Sequence, residues 1–257
     1  YIPTLLSYAQ QNDISLIVPT IDTELQPLAA SREEFAALGT YVHVSSEQTI
    51  DIVRDKKRTM DVLATAGVPV PRTATLEQFR LSQDKWDWPL FVKPVAGSAS
   101  RGIAMINCMD ELQDRYPERM LVQEALSGDE YTVNLFVGDN GIMHGATPHL
   151  RMSVRAGEVE KGRTVRRPEF EIIARRLAEA LPGARGVLCF QLFDDPRLGP
   201  RVIEINARFG GGYPLADQAG AHFAENVLRT AMGLPLVRCD MWHDGVTMLR
   251  YDNAVFV

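Results

Sequence analysis

The segment 202–212 constrains the fold of this chain more than any other part of the sequence. It alternates apolar and polar side chains, which predicts a β-strand with two different faces. The polar side chains recur at every second position: Glu204, Asn206 and Arg208. We expect Ile203 and Ile205 on the opposite face, packed into a core. Two oxygen ligands and a guanidinium on one face suit a magnesium-bound phosphate, and a solvated polar strand face is the alternative.

Three glycines at 210–212 follow this strand, and they favour either a sharp turn or a close approach of backbone to an anion. The preceding segment 187–193 also alternates, and the polar stretch 194–200 predicts a turn. The two strands therefore form a hairpin that brings Gln191 across from Glu204 or near it. Magnesium keeps several waters and needs few protein ligands, so such a sparse oxygen set suffices.

The remaining pattern falls into three zones. In the first, up to about residue 50, strands at 15–19 and 41–44 alternate with helices at 2–9, 23–30 and 32–38. This alternation predicts a parallel sheet. So few strands, together with a start at Tyr1 rather than Met, lead us to expect that an N-terminal piece is missing.

The second zone is a small α+β module. Ser45 and Gln48 have the spacing of a capping box, and helical periodicity runs from there to Gly67. Strands are predicted at 89–94, 103–106 and 120–124, and a short helix at 110–116. The third zone, from about 127, has strands at 131–137, 142–147 and 187–193 and helices at 169–181 and 215–232.

Composition excludes several classes of protein. The 257 residues are 46% hydrophobic, enough for a substantial core in one large domain or two to three small ones. A net charge of −6 argues against a general nucleic-acid binder. Three scattered cysteines indicate reduced thiols rather than a disulfide framework or zinc site. We find no membrane-crossing run and no signal peptide, so we expect a cytoplasmic protein without a membrane partner.

Two basic segments are further candidates for anion binding. Lys93 ends a predicted strand and precedes the small-residue loop 96–102, which can aim backbone N–H groups at phosphate oxygens; a neutral hairpin loop is the alternative. The loop is neither a Walker A motif nor a dinucleotide fingerprint. Within 149–164, which we predict to be a loop, four cationic side chains bind either an anionic substrate or only solvent: Arg151, Arg155, Lys161 and Arg163. The run 55–58 is predicted to lie inside a helix, with a solvated face as its default interpretation.

In chain order these features resemble the ATP-grasp superfamily, and within it the branch of the carbamoyl-phosphate synthase large subunit. The resemblance covers nearly the whole chain and rests on five motifs: 55–56, 91–103, 123–126, the pair formed by Gln191 and 204–206, and Arg208. It implies an α/β and α+β protein with the ATP-grasp fold, two α+β subdomains that grip ATP, after a partial, N-terminally truncated parallel α/β domain. The implied bounds are 1–50 for that remainder, 51–126 for the small lid subdomain and 127–257 for the large subdomain with the metal site.

The resemblance also implies a role for each matching residue. Lys93 and Arg208 are the catalytic candidates. The nucleotide contacts are Lys56, Lys93, Ser98, Ser100, Gly102, Glu124, Ala125, Leu126 and Glu130. The ligands of Mg²⁺ or Mn²⁺ are Gln191, Glu204 and Asn206.

The chain contains a single unit, whereas carbamoyl-phosphate synthase repeats the unit and needs a glutaminase partner. A stand-alone unit resembles instead an ATP- and magnesium-dependent ligase, which activates a small carboxylate as an acyl phosphate and joins it to an amine. A homodimer is the family-level expectation, and no nucleic-acid partner is expected. The alternatives are a kinase that stops at phosphoryl transfer and a non-catalytic ATP-binding module. A dinucleotide-dependent dehydrogenase is disfavoured because its glycine fingerprint is absent.

Overall fold

The computed structural model describes residues 1–96 and 102–254, and their strands form three sheets. The described α-helices are α1 (Ile2–Gln11), α2 (Asp22–Ala30), α3 (Arg32–Ala37), α4 (Glu47–Arg54), α5 (Lys56–Thr65), α6 (Leu76–Arg80), α7 (Pro168–Ala180), α8 (Tyr213–Gln218) and α9 (Phe223–Ala231). The strands are β1 (Leu16–Ile17), β2 (Tyr41–Val42), β3 (Thr73–Thr75), β4 (Leu90–Pro94), β5 (Ala104–Ile106), β6 (Met120–Glu124), β7 (Asp129–Val137), β8 (Met143–Arg155), β9 (Glu158–Thr164), β10 (Gly186–Asp195), β11 (Gly199–Asn206) and β12 (Thr247–Leu249).

The N-terminal zone contains a two-stranded parallel sheet, which agrees with the expected strand–helix alternation. β1 pairs with β2, with Leu16 opposite Tyr41 and Ile17 opposite Val42. Helix α2 begins at Asp22, shortly after β1. Leu25 and Leu28 of α2 are buried in the same core cluster as residues of the large sheet. The N-terminal zone therefore packs directly onto the body that carries the candidate site.

The predicted helix of the second zone is broken in two at Asp55. Ser46, rather than Ser45, caps α4 by accepting a hydrogen bond from the backbone N–H of Thr49 at 3.2 Å, so the predicted capping box was wrong. The Asp55 carboxylate caps α5 by accepting from the backbone N–H of Arg58 at 2.9 Å. An aspartate side chain satisfies one of the free donors at a helix start, which favours a new helix there. Lys56 thus lies in the first turn of α5 rather than in a helix interior.

The small sheet has the strand order β3-β6-β4-β5, with all pairs antiparallel. It covers a separate apolar cluster that contains Phe79, Trp86, Leu90 and Val122. The hairpin of β4 and β5 confirms the predicted pairing across the small-residue loop. The predicted helix at 110–116 is only a 3-10 turn at Met109–Glu111.

The large sheet is antiparallel, in the order β11-β10-β7-β8-β9-β12. Helix α7 packs on it through Phe170, Ile173 and Leu177, which repeat at helical spacing and are buried. The predicted loop 149–164 is instead a long hairpin of β8 and β9, turned at 156–157. The predicted helix 215–232 is two helices, α8 and α9, separated near Gly220.

None of the described helices combines the length and apolarity needed to cross a bilayer. Within the described part of the chain the three cysteines form no disulfide.

Candidate active site

A cleft of about 670 Å³ opens between the small sheet and the large sheet. The small sheet contributes residues of β4, and the large sheet contributes residues of β7, β8, β9, β10 and β11. The start of α5 and the segment after β11 contribute as well, and the lining includes eight residues that the sequence singled out: Lys56, Lys93, Glu130, Arg151, Gln191, Glu204, Asn206 and Arg208. The fold thus brings together residues that are up to 152 positions apart in the sequence (56 to 208).

Strand β11 carries the oxygen groups of the cleft. Gln191 of β10 lies directly opposite Glu204, as the hairpin interpretation predicted. The register then shifts, because Leu192 pairs with Val202 and leaves Ile203 as an extra residue between the two pairs. A bulge of this kind redirects the side chains that follow it. As a result Val202 and Ile205 are buried, while Ile203 lines the cleft; its predicted place in the core was wrong.

Lys93 joins the two sheets. Its ammonium donates a hydrogen bond to the backbone carbonyl of Ile203 at 3.2 Å, and only 6% of the residue is exposed. Burial lowers the pKa of Lys93 to about 8; the carboxylate of Glu204 raises it, and the charge of Lys56 lowers it. The charge of this ammonium is therefore only weakly solvated, which strengthens its attraction for a phosphate.

Lys56 forms an ion pair with the Glu204 carboxylate. Its Nζ lies 3.6 Å from Glu204 Oε1, and its backbone N–H donates to the carbonyl of Val95 at 3.1 Å. Because Asp55 caps the helix, the position of Lys56 is set by two independent contacts at the start of α5. The two lysines flank Glu204 and place two positive charges at this end of the cleft.

Arg208 is held by a residue that the sequence analysis did not select. Its Nη2 and Nε donate to the Asp22 carboxylate at 2.7 Å and 3.0 Å, and Nη1 donates to the Phe209 carbonyl at 3.0 Å. Burial lowers the pKa of the Arg208 guanidinium, but the hydrogen bonds and the charge of Asp22 raise it by more. The net shift of the pKa is therefore upward. A bidentate pair of this kind fixes the plane of the guanidinium.

Glu130 of β7 forms an ion pair with Arg151 of the neighbouring strand β8. The distance from Arg151 Nε to Glu130 Oε1 is 3.1 Å. Arg151 also donates to Thr132 Oγ1 at 3.1 Å and to the Gly157 carbonyl at 3.0 Å. Burial raises the pKa of Glu130, and the charge of Arg151 opposes that rise. Arg151 lies on strand β8 and lines the cleft, so it is not a solvated loop residue, and its binding of an anionic substrate stays a prediction.

Several predicted nucleotide contacts lie outside the lining of this cleft. Gly102 and the segment 124–126 are not among its lining residues, within the described parts of the chain. The Glu124 carboxylate accepts a hydrogen bond from the backbone N–H of Arg72 at 2.8 Å. Ser98 and Ser100 lie outside the described residues. The assignments of these residues to a nucleotide stay predictions.

The oxygen groups on β10 and β11 suit a divalent cation of the magnesium type. Gln191, Glu204 and Asn206 supply one carboxylate and two amide oxygens on one wall of the cleft. Residues 1–96 and 102–254 contain no cluster of three or more His, Cys, Asp or Glu side chains with metal-site geometry. The donor set of one carboxylate and two amides matches an ion that keeps waters and binds phosphate.

Sequence reasoning missed Asp22 and Glu158 in the cleft. Asp22 is far from Arg208 in the chain, and no local pattern connects them. Glu158 begins β9, in a stretch that we predicted to be a loop, so its strand alternation was not considered. Interpreting 149–164 as two alternating strands would have brought Glu158 into consideration beside Arg151, which had been selected for its charge.

Comparison with known proteins gives the family. A family model described as an ATP-grasp domain matches residues 53–212, which is more than half of the chain. The chain belongs to the ATP-grasp family. A second model, described as a PylC-like N-terminal domain, matches residues 1–43 of this ATP-grasp chain. The expectation of an ATP-grasp fold with an N-terminal parallel sheet is confirmed.

One curated relative of the ATP-grasp chain is the 3-methyl-D-ornithine–L-lysine ligase of Methanosarcina mazei. It is 29% identical over 187 residues, which make up 71% of this chain and 46% of that protein. The ATP-grasp chain therefore spans about half the length of this relative.

Two solved structures illustrate the shared fold. Biotin carboxylase from Campylobacter jejuni, solved as an ATP complex, has a TM-score of 0.80 at 18% identity and covers 95% of this chain and 60% of its own. The L-amino acid ligase from Bacillus licheniformis has a TM-score of 0.61 at 19% identity and covers 80% of this chain and 54% of its own. At these identities the similarity concerns the fold of the ATP-grasp chain alone.

Proposed function

We propose that this ATP-grasp chain is an ADP-forming ligase that joins a small carboxylate to an amine. The observation that carries the proposal is the convergence of two lysines, a fixed guanidinium and three oxygen ligands on one cleft wall: Lys56, Lys93, Arg208, Gln191, Glu204 and Asn206. Simple nucleotide binding does not require a guanidinium fixed in a partly buried ion pair beside the cation ligands. The relatedness to a curated carboxylate–amine ligase supports the same reaction class.

The phosphate end of the cleft fits phosphoryl transfer to a carboxylate. A substrate carboxylate oxygen attacks the γ-phosphorus of ATP, the bond from that phosphorus to the β–γ bridging oxygen breaks, and ADP leaves. Lys56 and Lys93 would screen the phosphate charge, and Arg208 would hold the acyl phosphate. Gln191, Glu204 and Asn206 would hold Mg²⁺, which offsets charge on the phosphate oxygens when it is bound.

The second half-reaction needs only positioning and the exclusion of water. The amine nitrogen attacks the acyl carbon, the bond from carbon to the phosphate oxygen breaks, and inorganic phosphate leaves as the nitrogen loses its proton. No covalent nucleophile of the protein is required. A fixed Arg208 would keep the acyl phosphate oriented for that attack.

The cleft also has a surface that suits a nucleoside. The apolar side chains of Phe91, Ile103 and Phe193 are part of its lining and offer a surface for a flat base. We assign the ribose hydroxyls to Glu130 and the edge of the base to the backbone of 124–126. Both assignments rest on the family resemblance and on the position of Glu130 in the lining.

The direct test measures ADP and phosphate release by the purified chain with ATP and Mg²⁺, against pools of amino acids and small carboxylates. We expect ADP formation that requires both a carboxylate and an amine, and an amide product in the mass spectrum. A stable phosphorylated carboxylate, formed equally well without any amine, would instead establish a kinase.

The cation assignment is tested in the same assay with Glu204→Ala. We expect a loss of at least 100-fold in kcat, because the single carboxylate of the donor set is removed. Glu179→Ala, an exposed glutamate on α7, is the matched control and should leave kcat unchanged. Normal turnover by Glu204→Ala would remove the metal assignment.

A further inference from the structure

Among the described residues, four carboxylates line the cleft, and three of them are paired with a cationic side chain. Asp22 is bonded to Arg208, Glu130 to Arg151, and Glu204 lies beside Lys56. Glu158 also lines the cleft, but within residues 1–96 and 102–254 its carboxylate has no hydrogen bond or ion pair. A carboxylate that lines the cleft and is not engaged in a direct ion pair is available to a cationic ligand.

The carboxylate of Glu158 lies close to the glycine loop at 210–212. Glu158 begins β9, directly after the turn at 156–157 that also accepts a hydrogen bond from Arg151. A Cβ atom at Gly211 would lie only 1.7 Å from Glu158 Oε2, so the carboxylate occupies space that any other residue at 211 would fill. Gly211 therefore leaves room for the Glu158 carboxylate on the edge of the loop that follows Arg208.

The position of Glu158 relative to Arg208 limits what the carboxylate can bind. Its charge is among those that raise the pKa of the Arg208 guanidinium, after the hydrogen bonds and charge of Asp22 and the charge of Cys189. Glu158 is thus within electrostatic reach of the group assigned to the acyl phosphate. An anionic phosphate would be repelled by Glu158, whereas an ammonium would be attracted. The cation that arrives at this end of the cleft in the proposed reaction is the amine substrate.

We propose that Glu158 binds a protonated amino group of the amine substrate, and that this substrate carries two amino groups. The inference rests on the proposed ligase function. The nitrogen that attacks the acyl phosphate has to be unprotonated, so the group held by a carboxylate is a second, non-reacting ammonium. The substrate class is therefore a diamine or a diamino acid, and an amine with one nitrogen lacks the group that Glu158 recognises.

The test compares acceptors of equal length with and without a terminal amino group. ADP formation is measured with ornithine and lysine, and with norvaline and norleucine as their counterparts. We expect the wild-type chain to use the diamino acids with a KM at least tenfold lower than that of their counterparts. In Glu158→Gln the KM for ornithine should rise about tenfold, while kcat and the KM for ATP stay within twofold.

Glu160→Gln is the matched control, because Glu160 lies on the same strand but is engaged by Arg155 and Ser153 instead of lining the cleft. It should leave every constant unchanged. The inference is overturned if wild-type protein uses norvaline as well as ornithine, if Glu158→Gln leaves the KM for ornithine unchanged, or if it raises the magnesium requirement instead.

A binding measurement separates this inference from the ligase proposal. With a non-hydrolysable ATP analogue present, ornithine should raise the melting temperature of the wild-type chain and not that of Glu158→Gln. If no amine accelerates ADP formation but this difference is seen, the ligase proposal fails and the Glu158 site stands. If ornithine shifts both proteins equally, or neither, the Glu158 site is rejected whatever the outcome of the activity assay.

Discussion

Arg208 and Asp22 form a bidentate ion pair between residues that are 186 positions apart, with N–O distances of 2.7 Å and 3.0 Å. Asp22 is the first residue of α2 in the N-terminal zone, and Arg208 follows β11 of the large sheet. The side chain of Arg208 is 15% exposed, and that of Asp22 is 29% exposed. The N-terminal zone therefore does more than pack against the ATP-grasp body, because it fixes the orientation of a cleft guanidinium.

Asp22→Asn should weaken this orientation without removing the arginine. The amide of asparagine is uncharged and has one accepting oxygen, so it cannot replace both hydrogen bonds of the carboxylate. Arg208 therefore gains freedom of rotation. We expect kcat to fall about tenfold with the KM for ATP nearly unchanged, because transition-state positioning is lost rather than ground-state binding. Asp61→Asn, which removes an exposed partner of Lys57, should change neither constant. An unaltered kcat in Asp22→Asn would show that Asp22 does not position Arg208 for the reaction.

Lys56 and Lys57 are neighbours in sequence with different surroundings, and they provide a matched pair. Lys56 lines the cleft beside Glu204, whereas Lys57 forms an i,i+4 ion pair with Asp61 at 2.6 Å on the helix surface. Lys56→Ala should raise the Kd for ATP about tenfold or more, since a charge within reach of the phosphates is lost. Lys57→Ala should leave the Kd within twofold. The measurement is equilibrium binding of a fluorescent ATP analogue, and equal effects of the two variants would contradict the placement of the phosphates near Lys56.

Lys93 predicts a specific pH dependence of stability. Burial lowers its pKa in the folded protein from 10.5 to about 8. Below pH 8 the lysine is charged in both states, and the folded state bears the full penalty of burying that charge. Between pH 8 and 10.5 the unfolded chain binds the extra proton, so this penalty declines as pH rises and is gone above pH 10.5.

Lys93→Met removes the buried charge and should raise the free energy of unfolding at pH 7 by about 3–4 kcal/mol, at roughly 1.4 kcal/mol for each unit of the pKa shift from 10.5 to about 8. The same variant should lose ligase activity, because the charge that faces the phosphates is gone. Urea denaturation at pH 7 and pH 10.5 checks the difference, which should shrink toward zero at the higher pH. A variant that is less stable than wild type at pH 7 would show that the ammonium is stabilised rather than penalised in the folded state.

The sequence allowed two hairpins of the site to be predicted, β10 with β11 and β4 with β5, whereas β8 and β9 were interpreted as a loop over 149–164. The hairpin placed Gln191 opposite Glu204, and the structure has that register. The bulge at Ile203 could not be foreseen, since it depends on how β11 pairs with β10 along its whole length. Alternation of side chains is a local property, whereas a register shift is a property of two strands together.

Contacts between distant segments were the other limit. Nothing near Asp22 in the sequence indicates that its carboxylate meets Arg208, because the contact arises only when the N-terminal zone packs on the large sheet. The break at Asp55 is a different case. An aspartate three residues before Arg58 was a readable N-cap signal, but the continuing charge run was interpreted as helix interior.

Asp195 predicts a structural role at the connection between the two subdomains. This buried carboxylate accepts hydrogen bonds from the backbone N–H groups of Ser127, Arg197 and Leu198, at 2.9, 2.9 and 3.0 Å. The bond from Ser127 is the largest of the influences that lower the pKa of Asp195 to about 2, from 3.8. Asp195→Ala leaves these donors unsatisfied, and the free energy of unfolding should fall by about 2–4 kcal/mol at pH 7.

Arg197→Ala separates the backbone contacts of Asp195 from its ion pair. The Arg197 guanidinium lies 3.9 Å from the same carboxylate but is largely exposed, so its loss should change the free energy of unfolding by less than about 1 kcal/mol. Because the pKa of Asp195 is lower in the folded protein than in the unfolded chain, its ionised carboxylate stabilises the fold fully above pH 3.8. That stabilisation is lost as pH falls through 2, so the free energies of unfolding of wild type and Asp195→Ala should converge at low pH. Denaturation curves at pH 7 and pH 2.5 measure both effects, and an equal loss in the two variants would assign the stability to the ion pair.

The same substitution at Gly212 and at Gly211 should destabilise the protein to different extents. A Cβ at Gly212 would lie 2.4 Å from Nε2 of His149, whose ring is completely buried and cannot move aside. Gly212→Ala should therefore lower the free energy of unfolding by about 2–3 kcal/mol through overpacking. The three atoms nearest to a Cβ at Gly211 all belong to the carboxylate end of Glu158, an exposed side chain that can rotate away, so Gly211→Ala should cost less than about 1 kcal/mol. His149→Ala opens space under Gly212, and the double variant with Gly212→Ala should be no less stable than His149→Ala alone. Additive losses in urea denaturation would mean that the clash with His149 is not the cause.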